Sequence, residues 1–153
     1  MSENERMSKL FRDLFDGDPW LDSSILGILE VVSAQKAAAR PTNVTNSIWE
    51  MVNHISSWRD VVLERIHGSK SPTPDHNYFL PVTDTSASAW KQALSRLERS
   101  QQEWLEFLDH VTPEKLSETY YDTDYTIYDL VFGIMQHDAY HLGQIALLSK
   151  YDL

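Results

Sequence analysis

Two histidines, His137 and His141 in the string QHDAYH, stand four residues apart. At about 100° per residue, that spacing puts both imidazoles on one face of a helix. The same arc carries Leu130, Ile134, Ile145 and Leu148, so the pair points at the core. Two imidazoles at i and i+4 can chelate one ion, as in the zinc motif H-E-x-x-H. Asp138 stands where that motif has glutamate, so the zincin signature is absent. Two readings of the pair stay open: metal ligands, or core histidines satisfied by hydrogen bonds. His54 is a third candidate, on the rim of the apolar arc of an earlier helix beside Trp58. Three inward imidazoles from two packed helices would leave coordination positions vacant, the arrangement of a catalytic rather than a structural site. His67, His76 and His110 fall at a helix end, in a proline-rich segment and at the end of another helix, where water is the expected partner.

Other polar residues project towards apolar arcs. Arg59 does so on the helix of His54, and Asp138 does so between the histidine pair. A charge facing a core is costly unless paired. Arg59 and Asp138 are therefore expected either to pair directly or to orient a ligand or substrate at the site; the competing expectation is that Arg59 snorkels to a bundle end and Asp138 sits at a wet edge. Gln101 faces the core side of its helix among Leu97, Trp104 and Leu105, as a pocket residue or as a hydrogen-bonding partner of a neighbouring helix. Glu50, one turn before His54, is a candidate extra ligand or base, although its projection leans to the polar face. Trp20, Trp49 and Trp58 are candidate walls of an apolar pocket or plain core, and Tyr78 with Phe79 a candidate lid.

The elements that must position these residues read as helices throughout. Met7, Leu10, Phe11, Leu14 and Phe15 make one apolar face, broken at Gly17-Asp18-Pro19. Leu21, Ile25, Ile28, Leu29 and Val32 resume the pattern, Ser33 is placed to cap a short turn through AQKAAA, and Arg40-Pro41 must interrupt it. The first helix is thus broken. A second, amphipathic helix runs from about Ser47 to Ile66 on Ile48, Met51, Val52, Ile55, Trp58, Val62 and Ile66. Residues 67–84 then hold Pro72, Pro74 and Pro81 without a sustained period, which makes a long connection able to cross a bundle from end to end. A third helix spans roughly Thr85 to His110, closed off by Pro113. A fourth begins near Thr126, where Asp129 three residues on completes a capping box, and runs to about Lys150. No segment alternates with period two. The expected fold is one all-α domain over residues 1–153, a four-helix bundle with a long crossover between helices two and three.

Bulk properties narrow the function. With 153 residues, 42% of them hydrophobic, the chain can bury a core without staples. It has no cysteine, which excludes disulfides, thiolate metal sites and a cysteine nucleophile. Asp and Glu number 23 against 13 Lys and Arg, a net charge of -10 that repels phosphate backbones and anionic lipid, and no helix shows a basic face. Nucleic acid and membrane are therefore not expected partners. The opening MSENERMSKLFRDLF is charged throughout and lacks the apolar run of a secretion signal, which points to a cytoplasmic protein. G-x-S-x-G, G-x-G-x-x-G and phosphate-loop motifs are missing. Asp122, Asp124 and Thr126 open like a calcium loop, but Ile127 replaces the required glycine and Gly133 the last acidic ligand.

The strings SIWEMVNHISSWRD and IYDLVFGIMQHDAYHLGQIALL, with the long connection between their helices, resemble the DinB/YfiT-like family over nearly the whole chain. The resemblance implies a four-helix bundle in which three histidines bind a divalent metal, one from helix two and an H-x-x-x-H pair from helix four. By position these fall on His54, His137 and His141. Three neutral imidazoles favour zinc, nickel, iron or copper over magnesium or calcium, and intrinsic affinities do not choose among them. The resemblance further implies a homodimer and a reaction on a small-molecule substrate. The family includes thiol S-transferases that use low-molecular-weight bacterial thiols, and a thiol-dependent isomerase. A metal-dependent thiol transferase or hydrolase is the first expectation; a non-catalytic metal- or ligand-binding bundle, or a stress-response partner, is the alternative.

Overall fold

The computed structural model describes residues 1–151. Four long helices carry the fold: α1 (Glu3–Phe15), α4 (Ile48–Ile66), α5 (Ala87–His110) and α7 (Ile127–Leu148). Three single-turn helices connect them: α2 (Ile25–Leu29), α3 (Ala34–Ala38) and α6 (Pro113–Ser117). The only β pairing among the described residues is one antiparallel bridge, Thr119 to Thr126. No helix among these residues is long and apolar enough to cross a membrane.

Every helix starts on a side-chain cap. Ser2, Ser24, Ser33, Ser47, Ser86, Thr112 and Thr126 each accept from a backbone N–H two or three residues into their helix, satisfying donors that have no intrahelical partner. Ser2 with Glu5, Ser47 with Glu50 and Thr126 with Asp129 form reciprocal capping boxes. The end of α4 needs its glycine: Gly68 has φ +106°, Ser69 N–H donates to Glu64 C=O at 3.0 Å, and Gly68 N–H donates to Arg65 C=O at 3.0 Å. This is the paired closure in which a left-handed residue stops a helix. Pro113, expected only to end the third helix, also opens α6, because proline at a first helical position loses no hydrogen bond.

Contacts along the long helices advance in register. Trp49 meets Trp90, Arg59 meets Ser100 and His67 meets Phe107, so α4 and α5 run side by side in the same direction. Residues 67–86 must therefore return from the end of α4 to the start of α5 at the far end of the pair. Helix α7 runs opposite to α4, since His54 meets His141 while Arg59 meets Asp138. Helix α1 runs opposite to α5, with Asn4 bonded to Val111 C=O and Phe11 stacked on Trp104.

The core divides into two apolar clusters. One gathers Phe15, Ile25, Leu29, Trp49, Val52 and Ile145; the other gathers Met7, Phe11, Trp104, Leu108, Val131 and Ile134. Arg59 lies at their junction, its guanidinium 5.3 Å from the Phe15 ring centre and 5.9 Å from that of Phe11. Charge can persist there because the layer around it is polar and hydrogen-bonded.

Candidate metal centre

His54 from the middle of α4 and His137 with His141 from α7 converge at the junction of the two helices. Each offers one ring nitrogen, and these three atoms lie within 4.8 Å of one another. His54 Nε2 is 2.9 Å from His137 Nε2. His54 is 2% exposed and His141 7%, whereas the His137 side chain keeps 24% of its surface. The rim position expected for His54 is thus a sealed one.

Neighbouring acceptors set the protons. His54 Nδ1 lies 2.7 Å from the backbone oxygen of Asn77, and a carbonyl can only accept. The His54 proton therefore sits on Nδ1, and Nε2 presents a lone pair to its two partners. His141 Nδ1 lies 2.6 Å from Gln144 Oε1, which assigns its proton in the same way. His137 Nδ1 and Asp138 Oδ1 are both buried without a hydrogen-bond partner, 3.7 Å apart. A proton on that nitrogen would face the carboxylate and turn a third lone pair inward. Three lone pairs converging on one point, two of them held there by acceptors behind the rings, suit a cation; the donor set fits a divalent transition metal.

Electrostatics keep His54 and His141 neutral. Burial, reinforced by the imidazoles of His141 and His137 and opposed by the Asn77 carbonyl and Asp138, pushes His54 down to about 4. Burial and the His137 ring also lower His141, against the pull of Gln144 and Asp138. Both are neutral imidazoles at neutral pH, the form that can bind a metal.

The long connection closes over this centre. The Phe79 ring stacks on His54, centres 3.8 Å apart and planes 10° apart, and Tyr78 meets Trp58 edge-on at 5.5 Å. Asn77 binds twice, through its backbone to His54 and through Oδ1 to Trp58 Nε1 at 3.0 Å. Asn77 and Tyr78 have φ of +48° and +61°, a left-handed pair uncommon outside glycine. The aromatic pair expected as a lid thus packs on the site. Asn77 and Gln144, which set two tautomers, were not anticipated. Gln144 was within reach as a polar residue three positions beyond His141; for Asn77 no local signal exists.

Beneath the histidines lies the ion pair. Arg59 Nε donates to Asp138 Oδ2 at 2.7 Å, and the two side chains are 1% and 0% exposed. Arg59 Nη2 donates to Gln101 Oε1 at 2.8 Å and Nη1 reaches Ser100 Oγ at 3.3 Å, while Gln101 Nε2 donates to Phe11 C=O. Direct pairing, not snorkelling, is what the fold selects, and Gln101 bridges helices through Arg59 and Phe11 while also lining a surface cavity with Arg12, Asp16 and Asp109.

Three candidates fall away. Glu50 closes the capping box of α4 and binds Arg40, whose Nε donates to it at 3.0 Å. Its burial raises the carboxyl, but the bonds from Arg40 and Ser47 outweigh this and hold it below its ordinary value. It is a structural carboxylate engaged by Arg40 and Ser47, outside the histidine cluster. Trp20 is 98% exposed and walls nothing, and Trp49 packs on Trp90 in the core. Of the three tryptophans only Trp58 reaches the site, its ring centre 5.9 Å from that of His137.

A family model described as the DinB superfamily matches residues 22–145. No curated protein and no solved structure matches the chain.

Proposed function

The chain belongs to the DinB superfamily, and from that premise we propose that it is a divalent-metal-dependent enzyme whose ligands are His54, His137 and His141. The observation that carries this reading is the convergence of three ring nitrogens within 4.8 Å, two of them with the far nitrogen tied to an acceptor. Neutral imidazoles suit zinc, nickel or iron. When bound, such an ion supplies Lewis acidity for a thiol or water nucleophile at neutral pH. The chain's own residues do the rest. Asn77 and Gln144 hold protons on the outer nitrogens of His54 and His141, Phe79 keeps water off the His54 ring, and Arg59 fixes the Asp138 carboxylate beside His137.

Because the chain lacks cysteine, any sulfur nucleophile comes from a cosubstrate. The reaction we infer is transfer of a low-molecular-weight thiol to a small electrophile, or hydrolysis of a small molecule, by a cytoplasmic homodimer. A second reading is a non-catalytic metal- or ligand-binding bundle, and the near-complete burial of His54 and His141 favours it. The core is large enough to stand without the ion, so a catalytic site should lose little melting temperature on chelation, and a structural one should lose much.

The deciding experiment is metal analysis by plasma mass spectrometry of untagged wild type beside His54→Ala, His137→Ala and His141→Ala. Near one equivalent of a transition metal, lost in all three variants, is the expected result. Absence of metal after incubation with zinc, nickel and iron would leave three hydrogen-bonded core histidines and end the proposal.

A further inference from the structure

A cavity of about 520 Å³ lies between α4 and the first half of α7. Trp58, Val62, Tyr125, Tyr128 and Phe132 give it aromatic and aliphatic walls, and His137 stands in its lining. His137 is the one member of the histidine cluster that does so, and it is also the one with appreciable exposure. The His137 ring therefore stands between the cavity and the other two histidines. Its volume lies within the range of small-molecule sites, and apolar walls with a few polar groups are their usual make-up.

The lining also states what it would exclude. It contains no lysine or arginine. Its one charged side chain, Asp129, is engaged by Thr126, which donates to Oδ2 from both its backbone nitrogen and its hydroxyl at 2.7 Å. An anionic body would find no counter-charge there and would meet a chain of net charge -10. A flat, uncharged, apolar body can stack on the rings.

Gly133 adds an independent observation. It sits within α7, where glycine is among the poorest helix formers, yet its φ is helical and a Cβ built on it would meet nothing within 4 Å. Neither backbone conformation nor packing requires glycine at this position. Gly133 lines the cavity one turn before His137, so a side chain placed there would enter it.

We propose that this cavity binds the flat, uncharged apolar body of a small molecule whose single anionic donor atom, such as a thiolate, reaches the three-histidine centre. Only the role of the donor atom rests on the metal reading above; the body's site does not.

Two probes separate the claims: 2-naphthalenethiol carries body and donor, and its S-methyl ether carries the body alone. Binding is measured calorimetrically on metal-free and zinc-loaded protein, for wild type and Gly133→Leu, whose side chain projects into the cavity. Metal-free wild type should bind the ether, and the thiol no more tightly. Zinc should tighten the thiol at least tenfold and leave the ether unchanged. Gly133→Leu should weaken both at least tenfold while retaining wild-type zinc content. In nitrogen-15 spectra of wild type, the Gly133 amide and Trp58 indole signals should shift on titration with the ether, a readout that does not depend on the variant folding. Undiminished binding by Gly133→Leu, or shifts that avoid Gly133 and Trp58, would overturn the site. So would a wild type that binds neither probe while Gly133→Leu disrupts a dimer, which would assign this face to a second copy. Cavity binding in a protein that takes up no zinc would keep the body's site and remove the metal reading.

Discussion

Deleting either member of the Arg59–Asp138 pair should cost a large share of this bundle's stability, and the two deletions should not cost the same. Both side chains are at most 1% exposed and meet at 2.7 Å. Removing one partner of such a pair costs about 3–5 kcal/mol, because the other is left charged and dry. Set against a total of roughly 5–15 kcal/mol for an ordinary domain, that is about a fifth or more. With Asp138→Ala the guanidinium keeps Gln101, Ser100 and the rings of Phe11 and Phe15. With Arg59→Ala the carboxylate keeps only the His137 ring, 3.7 Å from Oδ1 and not hydrogen-bonded to it, and a long side chain's packing is lost as well. Arg59→Ala should therefore lie at or above the upper end of the range, and Asp138→Ala at the lower. In a domain of this size the losses correspond to falls in melting temperature of roughly 6–20 °C. The double variant Arg59→Met/Asp138→Leu, which replaces the pair with apolar groups, should lose less than the sum of Arg59→Met and Asp138→Leu by about 1–3 kcal/mol. Urea unfolding followed by far-ultraviolet circular dichroism on metal-free protein measures all of these. Additive losses, or single losses below about 1 kcal/mol, would mean that water reaches the pair and that the layer between the two apolar clusters is not sealed.

Two further outcomes follow from the tautomers and charges of the histidines. Gln144→Leu removes the acceptor behind His141 and should weaken zinc binding about 10- to 100-fold with the fold intact, as read by competition with a chromophoric chelator; unchanged affinity would mean that the Gln144 bond does not orient the ligand. His54 titrates near 4 when folded and near 6.5 when unfolded, so the unfolded chain binds the extra proton. Metal-free stability should thus be full above about pH 6.5 and fall as the pH drops towards 4, by on the order of 3 kcal/mol from His54; a His54→Gln variant with the same slope would assign the loss to other groups.

The helices of this protein are local statements, and the sequence alone determined them. Capping residues, apolar spacing of three and four, and the breaks at Gly17-Asp18-Pro19 and Arg40-Pro41 each act within a turn or two, so they read directly. The same holds for His137 and His141, which share a face because both belong to one helix. Only α6 escaped, since Pro113 was weighed as a breaker and not as a first helical residue. The pairing of Arg59 with Asp138, 79 positions away, was one of two open readings, and periodicity could say only that both faced inward. His54 stood as a third candidate on its projection, and family resemblance carried its assignment to the site, because a rim projection does not fix how far one helix rotates against another. Tertiary structure decided that rotation. It also decided the loop path that puts the Asn77 carbonyl behind His54, the Arg40 contact that commits Glu50 to a cap, and the open space beside Gly133. These depend on the register and separation of helices brought together by burial of apolar surface, a force without direction, so no short-range pattern in the chain encodes them.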